Sequence, residues 1–86
     1  MKIVFHKNFQ KKYVTLPLKV KEKIREKNTL FIENPYHEIL NNHPLHGKYE
    51  GYRSINVTGD VRIIYKILDK DIALFSDIGT YGYLYK

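Results

Sequence analysis

Arg62 is the side chain of this sequence best suited to hold a phosphate. It falls in the middle of a strand-like run, with Asn56 and Asp77 expected on either side of it. A guanidinium presents a planar fork of N–H donors that matches phosphate oxygens, and an amide beside it adds a further donor. The plain alternative is a structural salt bridge between Arg62 and Asp77. The chain also runs out in GTYGYLYK, which brings Tyr81, Tyr83 and Tyr85 close together. A phenol titrates near pH 10 and is a poor base at neutrality, but it can donate a proton or stack on a nucleobase. His43 and His46 stand three residues apart in HPLHGK. Imidazole exchanges protons near neutral pH, although a histidine before a proline in a loop more often anchors hydrogen bonds. With no helix and no third carboxylate at a suitable spacing, the pair does not read as a metal site. Asp60 lies in a hairpin loop, where aspartate is first of all a turn former. His6 and His37 have no partner visible in the sequence and read as surface residues.

The elements that must position these groups follow from periodicity. Residues 2–5 (KIVF) read as a strand. Phe9, Tyr13 and Leu16 mark one face of a helix over 7–15, and Val20, Ile24, Leu30 and Phe31 mark a second over 17–33. Pro17 suits the opening of that second helix, Thr15 and Leu16 make the bend, and Asn34-Pro35 ends it. Residues 35–51 look irregular. Three strand-like runs follow at 52–57, 61–68 and 72–78. Keeping Ile55, Val57, Val61, Ile63, Tyr65 and Ile67 on one face sets Val57 opposite Val61 across Thr58-Gly59-Asp60, with Asp60 in the left-handed conformation. The same logic sets Ile67 opposite Ile72, Tyr65 opposite Leu74 and Arg62 opposite Asp77, across an Asp69-Lys70 turn. The outcome is an α+β fold, an N-terminal strand and helical hairpin packed on a small antiparallel sheet. Ile64, Lys66, Ala73 and Phe75 then fall on the outer face with Asn56 and Arg62. Ile64 and Phe75 there need a cover, either the C-terminal tail or a partner. Tyr52 and Tyr65 read as packing residues.

Composition narrows the class. Eighty-six residues without a linker or repeat make one domain, residues 1–86. No cysteine is present, so disulfides and thiolate-bound zinc or iron–sulfur clusters are excluded. No signal peptide and no membrane-spanning run is visible, and the cytoplasm is the default compartment. Fifteen Lys and Arg against nine Asp and Glu give a net charge of +6 and a pI near 9.5. Such a balance attracts polyanions, nucleic acid first and acidic proteins second. The basic residues Lys19, Lys21, Lys23, Arg25 and Lys27 of the second helix form a solvated face that could contribute to such contacts.

The stretch HPLHGKYEGYRSINVTGDVRIIYKI, followed by a strand and GTYGYLY, resembles the RelE/ParE superfamily of toxins from type II toxin–antitoxin pairs, closest to the YafQ-like branch. The shared elements are Leu-x-Gly, Gly-Tyr-Arg, a hairpin with Asp, Arg-x-x-Tyr and a terminal Gly-Thr-x-x-x-Leu-Tyr. The resemblance implies a RelE-like microbial RNase-type fold. It also implies an endoribonuclease that cuts mRNA on the ribosome, against rRNA, and is neutralised by a cognate antitoxin in a hetero-oligomer. No cofactor or metal is implied. The reaction is attack of a ribose 2′-hydroxyl on the adjacent phosphate, which needs a base, positive charge and an acid. Under the resemblance His43, Asp60, Arg62 and Tyr81 are the catalytic candidates. Tyr85, Asn56, Lys48, Arg53, Lys66 and His46 are the candidates for binding substrate. Two positions depart from the branch: Asn56 and Tyr81 stand where it carries histidines, and His46 is additional to it. A toxin fold that binds antitoxin or RNA without cutting, and a ParE-like toxin directed at gyrase, are the alternatives.

Overall fold

A computed structural model describes residues 1–85. In chain order its elements are β1 (Lys2–Phe5), α1 (Lys7–Tyr13), α2 (Leu18–Glu33), a 3-10 turn (Glu38–Leu40), β2 (His43–Pro44), a second 3-10 turn (Gly47–Tyr49), β3 (Arg53–Asn56), β4 (Val61–Asp69), β5 (Ile72–Thr80) and the single turn α3 (Tyr81–Leu84). The sheet has five strands in the order β1-β5-β4-β3-β2. β1 runs parallel to β5 and the remaining pairs are antiparallel. The architecture is the expected α+β arrangement, with one strand, β2, inside a segment that reads as irregular.

Local chemistry sets the boundaries. His6 caps α1, its Nδ1 accepting the Asn8 amide at 3.0 Å. His37 does the same for the first 3-10 turn through the Ile39 amide at 3.2 Å. Both are therefore structural caps rather than idle surface residues. Pro17 precedes α2 as its cap residue, and the bend is closed by the Thr15 and Leu16 amides bonding to Lys12 and Tyr13 carbonyls. In the β3–β4 loop Thr58, not Asp60, does the work: its Oγ1 accepts the amides of Asp60 at 3.2 Å and Val61 at 3.0 Å. Among the described non-glycine residues only Asn41 has a positive φ, so the left-handed Asp60 expected from the sequence is not found.

The main core lies between α1, α2 and one face of the sheet. Ile24 and Phe31 of α2 meet Ile55, Val57, Ile63, Tyr65, Ala73, Phe75 and Ile78, with Phe9 and Leu40 at the margins. Phe31 packs edge-on against both Tyr65 and Phe75, with ring centroids 5.0 and 5.2 Å away. Val57 bonds Val61 and Asn56 faces Arg62, as the hydrophobic register requires.

The β4–β5 register differs from the expected one. Asp69 pairs with Ile72, so the turn is Lys70-Asp71, and irregularities follow at Leu68 and Ser76. Tyr65 therefore faces Phe75 rather than Leu74, and Arg62 faces Gly79 rather than Asp77. The extra residue at Ser76 is a β-bulge that reverses the inward–outward alternation of β5. Ala73 and Phe75 point into the main core before it, and Ile78 does so after it. Ala73 and Phe75 are thus core residues, not outer-face residues.

Candidate active site

The outer face of the sheet is built in transverse rows, because residues directly opposite on neighbouring strands share a face. One row runs His43, Ser54, Ile64, Asp77, and the next runs Asn56, Arg62, Gly79. Ile64, Leu45 and Leu84 form a second, smaller core here, flanked by Tyr49, Tyr52 and Tyr85. The tail does cover the outer face, as one of the two options required, but Leu84 lands on Ile64 and not on Phe75. Gly79 permits this approach, since a Cβ there would sit 3.0 Å from the Tyr83 ring and 3.5 Å from Leu84.

The four catalytic candidates occupy this face and its rim. Arg62 turns back on its own hairpin, with Nη1 donating to the Thr58 carbonyl at 2.9 Å and the Val61 carbonyl at 3.3 Å. The salt bridge with Asp77 is not formed. The Asp60 carbonyl accepts the Tyr81 amide at 2.9 Å, tying the start of α3 to the loop that precedes Arg62. The Tyr81 side chain is 58% exposed. On β2, His43 Nδ1 lies 2.7 Å from the Asn41 carbonyl. A carbonyl only accepts, so Nδ1 carries the hydrogen and Nε2 holds the lone pair in the neutral ring.

The binding candidates separate into two groups. Tyr85 stacks at a tilt against Tyr81, centroids 4.7 Å apart, and Tyr49 continues the series at 6.1 Å. Tyr49 and Tyr52 are likewise 6.1 Å apart. Lys48 lies over Tyr49 at 5.2 Å and Lys66 over Tyr52 at 5.3 Å. The result is a file of phenols edged with ammonium groups, the combination that single-stranded nucleic acid binds. Asn56 adjoins Arg62, and its Oδ1 is buried without a hydrogen-bond partner. His46 is exposed at the start of the second 3-10 turn and makes no capping bond. Arg53 belongs to neither the file nor the rows. It lies on the opposite side of the sheet, where Nε donates to Asn42 Oδ1 at 2.7 Å and the guanidinium rests 5.4 Å from the Tyr36 ring.

Two participants escaped the sequence reading. Tyr49 joins the phenol file from the second 3-10 turn. Burial first, and then the nearby Asp77 carboxylate, push its phenol above the ordinary 10.0. Lys12 of α1 is the partner that Asp77 takes in place of Arg62, with Nζ 2.6 Å from Oδ1. Partial burial lowers the Lys12 pKa, but Asp77 and Tyr83 outweigh it and hold the ammonium above 10.5. No spacing rule connects residues 12 and 77; the pairing follows from where β1 stops. Among the described residues no group of three or more His, Cys, Asp or Glu stands together as a metal ligand set.

The whole chain, residues 1–86, matches the family described as the bacterial toxin of type II toxin–antitoxin system, YafQ. This chain belongs to that family. The mRNA interferase toxin YafQ of Escherichia coli K12 is 37% identical over 65 residues, covering 73% of this chain and 70% of that protein. The crystal structure of YafQ from E. coli BL21(DE3) superposes with a TM-score of 0.79 at 30% identity, over 99% of this chain and 98% of that one. The toxin in the E. coli DinJ-YafQ toxin-antitoxin complex follows with 0.76 at 29% identity, over 99% and 97%. A YoeB/ParE toxin from Agrobacterium tumefaciens shares the fold, with a TM-score of 0.78 at 20% identity, over 94% and 99%.

Proposed function

We propose that this member of the YafQ family is an endoribonuclease that cuts mRNA on the ribosome, in the cytoplasm, and is silenced by a cognate antitoxin. The observation that carries the reading is the bond between the Tyr81 amide and the Asp60 carbonyl. It holds the first phenol of the tail against the hairpin that bears Arg62, in a chain whose curated relatives are named mRNA interferases. The DinJ-YafQ complexes support an antitoxin as partner.

The chemistry divides among the residues as follows. His43 Nε2 takes the proton of the ribose 2′-hydroxyl, and the 2′-oxygen attacks the adjacent phosphorus. The guanidinium of Arg62 neutralises the charge that grows on the phosphoryl oxygens. As the P–O5′ bond breaks, Tyr81 donates its phenolic proton to the leaving oxygen. The products are a 2′,3′-cyclic phosphate and a free 5′-hydroxyl. Asp60 fixes the tail through its carbonyl, and Tyr85 and Tyr49 stack on bases of the bound message. Asn56 and the Lys48 and Lys66 ammonium groups steady the backbone.

The test is cleavage in a translating extract by purified wild type, Arg62→Ala and Tyr81→Phe, beside growth arrest on induction. Arg62→Ala should cut roughly a hundredfold or more slowly, and Tyr81→Phe should lose on the order of a hundredfold. A folded wild type that leaves message intact and growth normal removes the reading. Equal activity of the three removes the residue assignment alone. Asn56 and Tyr81 in place of histidines favour a second reading, a toxin fold that binds without cutting. Cleavage gained only in Tyr81→His would establish it.

A further inference from the structure

β1 pairs with β5 only as far as Phe5 opposite Phe75. Beyond that point no strand of the described residues lies on this side of β5, and α1 runs beside it instead. Lys12, in the last turn of α1, is therefore able to reach around the open strand edge from the helical layer to the outer face. Its ammonium lies 2.6 Å from Asp77 Oδ1 and 4.3 Å from the centre of the Tyr83 ring. Asp77 is itself fixed, because Oδ1 also accepts the Ile78 amide at 2.8 Å.

Stability alone is a weak reason for this arrangement. The two side chains keep 32% and 25% of their exposure. Ion pairs so open to water add little to folding, and a lysine in water would retain its rotamer freedom. The arrangement does something else well. It delivers a cation with three N–H donors to the end of the His43, Ser54, Ile64, Asp77 row, next to the tail. Arg62 of this face bonds through Nη1 to its loop carbonyls and Lys48 and Lys66 lie over Tyr49 and Tyr52, so Lys12 adds a further cation from a different element.

We propose that Lys12 is a phosphate-binding residue of this site, and that Asp77 is the positioning residue that aims it at the backbone of single-stranded RNA laid along the tyrosines. The inference rests on the endoribonuclease reading and adds to it a contact from the helical layer. A phosphodiester is a monoanion, so it can take a remaining ammonium donor while Asp77 keeps its own.

The experiment compares cleavage rates in the translating extract for wild type, Lys12→Gln, Lys12→Arg and Asp77→Asn, each across a salt series and with its melting temperature. Lys12→Gln should cut about tenfold to a hundredfold more slowly, the range expected for a charge-assisted hydrogen bond. Its rate should also fall less steeply with salt, by about one counterion. Lys12→Arg should recover most of the rate, and Asp77→Asn should stay nearer to wild type than Lys12→Gln does. Equal losses in Asp77→Asn and Lys12→Gln would mean a merely structural pair and would overturn the proposal. So would a Lys12→Gln protein as fast as an active wild type. A wild type that cuts nothing overturns the endoribonuclease reading first and this inference with it. A second measurement does not depend on any variant folding. Wild type bound to ribosomes carrying a message with 2′-O-methyl ribose at the target codon should have its Lys12 amine shielded from acetylation, relative to ribosomes without message. An amine acetylated equally in both overturns the proposal.

Discussion

The two faces of the sheet are built on opposite principles. The inner face is apolar and interlocked: Phe9, Phe75, Phe31 and Tyr65 form a continuous chain of ring contacts. Tyr65 Oη there receives the Asn42 amide at 2.6 Å, and Asn28 Oδ1 of α2 is the buried side-chain atom on the helical side without a partner among the described residues. The outer face has a small apolar patch of Leu45, Ile64 and Leu84 under a rim of tyrosines. Beside it Ser54 Oγ, Asn56 Oδ1 and Tyr85 Oη are buried without partners. A buried polar atom left unpaired costs about 1–3 kcal/mol, so the outer face draws on stability that the inner face supplies. Such groups gather where a surface is kept for binding rather than for folding.

Mutation should separate the faces, beginning with the largest effect. Phe31→Ala opens a cavity at the junction of three rings and should cost about 3–5 kcal/mol, read by denaturant melting; a loss below 1 kcal/mol would deny the inner face its role. Ile64→Ala on the outer face should cost nearer 2 kcal/mol, because the single turn of α3 can settle into the space. Its cleavage should fall further than its stability, as the seat of Leu84 is lost, and parallel losses would erase the distinction. Tyr65→Phe removes one hydrogen bond and should cost about 1 kcal/mol near pH 7.

That last variant also carries a pH signature. Burial first, partly opposed by Asn42 and Arg53, holds the Tyr65 phenol above the ordinary 10.0. In the unfolded chain the phenol ionises earlier, so unfolding releases a proton once the pH passes about 10. The contribution of neutral Tyr65 is complete below that pH and is lost as the pH climbs through the folded value. The raised Lys12 acts in the same direction above 10.5. Wild type should therefore weaken on alkaline titration more steeply than Tyr65→Phe, and parallel curves would rule this out. At the small end, Glu26→Gln breaks an exposed pair with Lys23 at 3.5 Å and should change stability by less than about 0.5 kcal/mol. A larger change would mean that the solvated side of α2 is not passive.

The inner face was legible because its rule is simple. Ile24, Phe31, Ile55, Val57, Ile63 and Tyr65 follow helical or alternating periods, and burial obeys those periods wherever an element is regular. Legibility ended at irregularities. Ala73 and Phe75 face the core and not the outer side because the alternation of β5 changes phase at Ser76, a residue with nothing in its type to announce a bulge. Thr58 displaced Asp60 as the maker of the loop, since a hydroxyl two and three residues upstream of the amides suffices. In the site, the adjacency of Asn56 and Arg62 came from register alone and holds. Arg53 sits on the far side for the same alternation that keeps Asn56 and Ile64 on the near one. Lys12 was invisible because its partner is set by the length of β1, a tertiary fact.

The phase change in β5 has a wider consequence for how this chain tolerates sequence change. Up to Phe75 the strand is constrained by aromatic packing, and after Ser76 the outward positions are set by the tail and the helix end. The two halves can therefore vary under separate constraints, joined by one residue whose unpaired state matters more than its kind. Replacing Ser76 by another small polar residue should leave both halves in place. Pairing Ser76 regularly opposite Ile64 instead would turn Asp77 inward opposite Ile63 and bring Ile78 outward, whereas deleting it would keep Asp77 opposite Ile64 and Ile78 opposite Ile63. In comparing relatives, a strand aligned here without allowance for the extra residue sets inward positions against Asp77 and outward ones against Ile78.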